Sequence, residues 1–342
     1  VTLRQDLNSN KFIFTAELNP PKAADISILL ERAHPLKNLV SAINITDNSG
    51  ASMKMASLAV SYLMQRETGI EAIWQMTCRD RNRLGLQSDL LGGWALGLRN
   101  ILILSGDPAD KGDAPTTKGS FDLKSDELLL AVAKLKQGKD YDDNPLAQGI
   151  ASSPTAPRND GGVVAGNDGA PHNDRHCETR SVEAIPVPSI VDYCAAAAAH
   201  PGVPDLKAQA ETMQRRYDIG AEFFQTQIVF DIDQLKRFAD SIPEELAKKT
   251  LIGITPLKTL GQANFINKNI WGVNIPQTDI AAMTAAIGID DAKSADAMKR
   301  QHQAGLKIAK TIVDEVRKLP FKGVHVMAIA QEDRLAEIIS SL

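Results

Sequence analysis

Glu17 and Asp107 are carboxylates that each close an apolar run, and carboxylates brought to one place are the residue types for proton transfer. Phe12-Ile13-Phe14-Thr15-Ala16-Glu17 leads into Asn19-Pro20-Pro21, and Ile101-Leu102-Ile103-Leu104 leads into Ser105-Gly106-Asp107-Pro108. An apolar run without polar interruption reads as a strand buried on both faces, and Gly-Asp-Pro then forces a turn. The plainer reading of Asp107 is a turn cap, and of Glu17 an N-cap or loop carboxylate beside Asn19-Pro20. The pattern recurs, however. Ala42–Thr46 precedes Asp47-Asn48-Ser49-Gly50, Ala72–Thr77 precedes Cys78-Arg79-Asp80, and Glu222–Phe230 carries Gln227. Leu251–Pro256 and Gly323–Ile329 repeat it, and an eighth strand is expected within Ile190–Ala199.

Something must hold these strand ends together. Apolar residues at helical spacing predict helices over Ile26–Leu39, Met53–Thr68, Leu84–Gly97, Leu123–Gln137, Asp205–Ile219, Ile232–Ser241 and Lys293–Lys318. Alternating strands and helices imply parallel strands joined by crossovers, and eight of each close a single (β/α)8 TIM barrel. Active sites of such barrels lie at the carboxyl ends of the strands, so Glu17, Thr46, Thr77, Asp107 and Gln227 are expected at one mouth.

The 342 residues, 43% hydrophobic and 23% charged, suit one barrel over 1–342 with an insertion better than two ordinary domains. The insertion is expected at 152–188, between the fourth helix and fifth strand, where Gly, Asn, Asp and Pro replace apolar periodicity. His172, His176 and Cys177 within it do not supply the three or four ligands a zinc site needs, so no metal is expected. A net charge of -4 without a basic run argues against nucleic acid or an anionic membrane as partner. No apolar run approaches the ~20 residues of a membrane span and no targeting segment is visible, which points to the cytoplasm. The three cysteines, Cys78, Cys177 and Cys194, read as free thiols.

Five segments in order, Phe14–Lys22, Asn44–Asn48, Met76–Asn82, Leu104–Pro108 and Gly220–Gln227, resemble the methylenetetrahydrofolate reductase family. The resemblance runs from about Phe12 to the carboxyl terminus and omits the insertion. Gly85-Leu86-Gln87-Ser88-Asp89-Leu90-Leu91-Gly92 is most similar to the bacterial branch and to the reductase half of fused homocysteine methyltransferase-reductase proteins. The resemblance implies an FAD-dependent barrel that reduces 5,10-methylenetetrahydrofolate to 5-methyltetrahydrofolate. With no Gly-x-Gly-x-x-Gly after a strand, NADH or NADPH would have to stack on the flavin in alternation with folate, unless a partner subunit delivers electrons. The chain could also form a homo-oligomer. Another flavin- or folate-dependent barrel enzyme and a noncatalytic barrel subunit are the alternatives.

By the same resemblance, Glu17 is the acid that protonates the departing folate nitrogen, Asp107 lies between flavin and pterin, and Gln227 meets the pterin amide. The flavin would be lined by Thr46, Asp47, Gln75, Thr77, Leu104, Ser105, Gly106, Asp107, Phe121 and Ala198, with His200, Arg215 and Arg216 at ribityl and diphosphate groups. A solvated helix face is the alternative for Arg215 or Arg216. Met283 matches an apolar contact to nicotinamide or folate, with helix-core packing as its alternative. Gln75 replaces a histidine common among relatives, Ser105 replaces an arginine of some, and Ala196–Ala199 lacks an aromatic that others carry.

Overall fold

A computed structural model describes residues 2–146, 191–289 and 291–342. The segment expected at 152–188, with His172, His176 and Cys177, lies outside the described residues. Eight strands form a closed parallel barrel in chain order: β1 (Ile13–Leu18), β2 (Ala42–Ile45), β3 (Ala72–Thr77), β4 (Asn100–Leu104), β5 (Cys194–Ala199), β6 (Phe223–Ile228), β7 (Thr250–Ile254) and β8 (Gly323–Val326). The barrel expected from the sequence is the one observed.

The helices are α1 (Leu3–Leu7), α2 (Ser27–Ala33), α3 (Ser57–Thr68), α4 (Arg83–Ala95), α5 (Ser125–Lys136), α6 (Leu206–Ile219), α7 (Ile232–Ser241), α8 (Glu244–Ala247), α9 (Leu260–Asn269), α10 (Gln277–Ile287), α11 (Ala295–Val316) and α12 (Leu335–Ser341). Two differ from the periodicity by four residues or more at one end. The helix expected over Ile26–Leu39 ends at Ala33 and tightens into a 3-10 turn over His34–Leu36, where Pro35 lacks the N–H that an α-helix requires. The one expected from Met53 begins at Ser57, because Ala51–Met53 packs against the β4 loop: Met53 N–H donates to Asp113 Oδ1 at 3.1 Å.

The barrel interior has two tiers. Toward the amino ends, Ile13, Ala42, Ile73, Leu102, Phe223 and Leu251 form an apolar cluster that α1 closes from below with Leu3 and Leu7. One register step higher on the same faces, since side chains alternate along a strand, stand Thr15, Asn44, Gln75, Gln225 and His325. Asn44 Nδ2 donates to Gln225 Oε1 at 2.6 Å and Gln225 Nε2 donates to Asn44 Oδ1 at 3.2 Å, a buried amide pair that spans the barrel from β2 to β6. The change from apolar to polar confines chemistry to the upper half.

Candidate active site

Glu17 ends the inward face of β1. Its Oε2 accepts from Gln75 Nε2 at 3.2 Å and stands 3.6 Å from His325 Nε2, with the glutamate side chain 20% exposed. On its other ring nitrogen, His325 meets the Thr15 hydroxyl at 2.9 Å. With Thr15 donating, Nε2 carries the ring proton and faces a carboxylate; with Nδ1 donating, Nε2 is free to accept from the carboxylic acid form. Thr15 and His325 therefore position the acid candidate.

Beside Gln75 a cavity of about 410 Å³ opens at the carboxyl ends of β2 to β5. Asp47, Gln75 and Thr77 line it from β2 and β3, Leu104, Ser105, Gly106 and Asp107 from β4, and Ala198, His200 and Arg216 from β5 and α6. Gly106 has φ +87°, and a Cβ there would stand 3.0–3.1 Å from the Arg79 and Thr77 Cβ atoms, so only glycine lets this loop pass so close. Arg216 gives Nε to Asp126 Oδ1 (2.7 Å), Nη1 to Ala198 O (2.8 Å) and Nη2 to Ser125 Oγ (3.3 Å). Three of its five N–H groups are thus used, and two remain for a ligand. Burial, then the nearby Arg216 charge, holds the His200 imidazole below its usual pKa, so it is a neutral hydrogen-bonding group.

Arg79 joins the loops around this cavity. Its guanidinium forks onto Asp80 at 2.6 and 2.7 Å and donates to the carbonyls of Asp107 and Asn48, each at 3.1 Å. Lys54, half-buried beside Glu17, donates to Asn19 Oδ1 at 3.2 Å and Ser49 Oγ at 2.7 Å. Burial lowers its pKa against the raising influence of Glu17. Sequence reasoning passed over Thr15, His325, Arg79 and Lys54. Period two from Glu17 reaches Thr15, and a lone histidine inside the apolar run Gly323–Ile329 was a visible signal.

Other expected site residues are engaged within the protein or lie off the cavity wall. The Asp47 carboxylate touches the cavity but is spent internally, accepting from Thr77 N–H and Oγ1 (both 2.8 Å) and from Arg81 Nη1 (2.8 Å) and Nη2 (3.2 Å). The Thr46 hydroxyl is turned to Asn19 Oδ1 at 2.9 Å. Arg215 lies on the exposed side of α6 and pairs with Asp126 at 2.9 Å, and Phe121 is 46% exposed; neither lines the cavity. Gln227 is at the same end of the barrel, yet its Oε1 accepts from the next residue, Ile228 N–H, at 2.9 Å, and it is off the cavity wall. Met283 is fully buried in the helix-facing apolar core. Cys78 and Cys194 are free, and burial pushes the Cys78 thiol up to about 12, so it stays protonated. Among the described residues no cluster of metal ligands occurs, and no helix is long and apolar enough to cross a membrane.

The chain is 23% identical over 242 residues to methylenetetrahydrofolate reductase 2 of Saccharomyces cerevisiae, a match covering 69% of this chain and 32% of that one. It is 23% identical over 251 residues to 5,10-methylenetetrahydrofolate reductase of Pectobacterium carotovorum, covering 72% of this chain and 64% of that one. The match therefore spans less than two thirds of each relative. Among solved structures, EDTA monooxygenase from Chelativorans shares the fold, with TM-score 0.50 and 12% identity over 97% of this chain and 93% of that one. The methylenetetrahydrofolate reductase family model matches residues 2–154 and 188–342, and the chain belongs to that family.

Proposed function

We propose that the chain holds FAD in the β2–β5 cavity and reduces 5,10-methylenetetrahydrofolate to 5-methyltetrahydrofolate, with electrons from NADH, NADPH or a partner subunit. One observation carries this reading beyond family membership: the Glu17 carboxylate is hydrogen-bonded to Gln75, which itself lines the cavity. The donor set suits a flavin nucleotide. Gly106 and Ala198 leave room for a flat ring, the free N–H groups of Arg216 suit a diphosphate, and 410 Å³ falls in the ordinary range of ~300–1,000 Å³ for ligand sites.

Glu17 donates its proton to the folate nitrogen that departs as the imidazolidine ring opens, leaving an iminium cation. Asp107, exposed on the β4 loop, balances that positive charge. Gln227 holds the pterin amide through its Nε2 group, since Oε1 is already engaged. A flavin held by these residues would, once reduced, supply the hydride that turns the iminium carbon into a methyl group. Nicotinamide and folate would then react with the flavin in turn, which makes the kinetics ping-pong and the two half-reactions separable.

Anaerobic stopped-flow absorbance tests each half-reaction. Glu17→Gln is expected to keep flavin reduction by NADH or NADPH and to slow reoxidation by methylenetetrahydrofolate by ~10²–10⁴-fold. Equal loss in both would refute the acid role, and wild-type protein that cannot be loaded with FAD would refute the flavin reading.

A further inference from the structure

Across the rim from the β2–β5 cavity, the segments after β7 and β8 and the first half of α11 enclose a second cavity of about 530 Å³, which shares no wall residue with the first. Lys258 enters it from the β7 loop, Lys299 and His302 from α11, and Arg334 from the β8 loop. The backbone is built to bring these together. A Cβ on Gly305 would stand 1.8 Å from the Leu257 carbonyl oxygen, so α11 lies directly on the chain leading to Lys258. Gln301 fastens the same junction, accepting from Leu260 N–H at 3.0 Å and donating to Ala292 O at 3.0 Å. Lys258 Nζ reaches the β8 loop by donating to Ala330 O at 2.9 Å.

The charges there are incompletely balanced. Lys258 and Lys299 have no ion-pair partner among the described residues, whereas Arg334 forks onto Glu337 through Nε (2.9 Å) and Nη2 (2.6 Å). Arg334 Nη1 has no hydrogen bond among the described residues. His302 is 7% exposed, and its Nε2 is buried without a hydrogen-bond partner among the described residues. Burial and the Arg334 and Lys258 charges keep that ring below its usual pKa, against the opposing influence of Glu337 and Asp333. Converging cations without sufficient counter-charge repel one another, and a bound anion would relieve that cost.

We infer that this cavity is a second ligand site, for a phosphate group. Donors arriving from two loops and a helix suit a tetrahedral oxyanion with several terminal oxygens, whereas the planar arginine fork is already filled by a carboxylate. The segments after strands 7 and 8 are also where parallel barrels often bind phosphate. The volume admits free orthophosphate or the phosphate of a nucleotide. Nothing in this inference depends on flavin or folate.

Isothermal calorimetry with orthophosphate and with AMP, together with the His302 ring resonances, tests it. Saturable binding that moves the His302 signals is expected, and the Lys258→Ala/Lys299→Ala double variant should weaken it at least tenfold. The exposed single variant Lys299→Ala should weaken binding in the same direction without disturbing the fold. Tighter AMP binding would assign a nucleotide phosphate, and equal affinity for the two probes would assign free phosphate. No saturable binding, unmoved His302 signals, or wild-type affinity in the double variant would overturn the assignment.

Discussion

Glu17, His325 and Thr15 are linked side chains of one face, so removing the middle one tests whether the link matters to chemistry or only to packing. His325→Asn keeps a polar group in the buried tier while losing the ring nitrogen that stands 3.6 Å from Glu17. It is expected to slow folate-dependent flavin reoxidation about tenfold, less than the ~10²–10⁴-fold of losing the acid itself, and to spare flavin reduction. Thr15→Val should act in the same direction more weakly. A parallel fall in both half-reactions would assign the pair to packing. Asp47 poses the opposite case, because its carboxylate is 1% exposed and serves Thr77 and Arg81. Burial alone would lower the Arg81 pKa, but the hydrogen bond and charge of Asp47 raise it. Asp47→Ala leaves the Arg81 guanidinium its Asp89 partner at 2.8 Å but removes the acceptor of both its Nη groups, and is expected to cost ~1–3 kcal/mol, read as a lowered urea midpoint. Sequence indicated that Asp47 matters; it could not show that Arg81 engages the carboxylate, because Arg81 is 34 residues away in sequence.

At the scale of elements, the α6–α5 contact holds the β5 side of the cavity through Arg216, Asp126 and Ser125. Burial tends to raise the Asp126 pKa, yet hydrogen bonds from Arg216 and Arg215 bring it below the ordinary carboxylate value. His200, on the same wall, is held below its usual value of 6.5. The unfolded chain therefore binds more protons than the native one as pH falls through 6.5, and the His200 contribution to stability declines there, by at most about 1.4 kcal/mol per pH unit. Urea titrations between pH 7.5 and 5.5, as conditions spanning about one unit either side of the free imidazole value, should show a steeper loss for wild type than for His200→Gln. Identical slopes would remove His200 from the account. Legibility varied at this scale for physical reasons. Strands buried on both faces announce themselves as apolar runs, so all eight were found within a few residues. Helices α9 and α10 were not, since Leu260–Asn269 is polar except for a few positions, and the Ala-rich Gln277–Ile287 offers one fully buried large residue, Met283. The five-residue α1 is too short to display a period at all.

For the whole molecule, the two-tier interior separates stability from chemistry. The lower tier is apolar and closed by α1, which is held by a Thr2–Gln5 capping box and by Arg4 pairing with Asp192 (2.9 Å) and Glu222 (2.7 Å). The upper tier is polar because Asn44 and Gln225 satisfy each other across the barrel, so no water is needed between them. Leu3 is fully buried in the lower tier against the same cluster as Ile13 and Phe223. Leu3→Ala opens a void that the closed ring of strands can fill only in part, at an expected cost of ~2–5 kcal/mol. Leu104 packs on this cluster and lines the β2–β5 cavity, whereas Leu3 itself does not line that cavity, so FAD affinity and both half-reaction rates at 25 °C, measured under conditions where the variant stays folded, should match wild type. A lowered urea midpoint with unchanged cavity function is the signature of separate tiers. If Leu3→Ala also weakened FAD binding or slowed reoxidation by folate, the polar layer would have to be shifting with the plug, and the barrel would act as one mechanical unit from α1 to its rim.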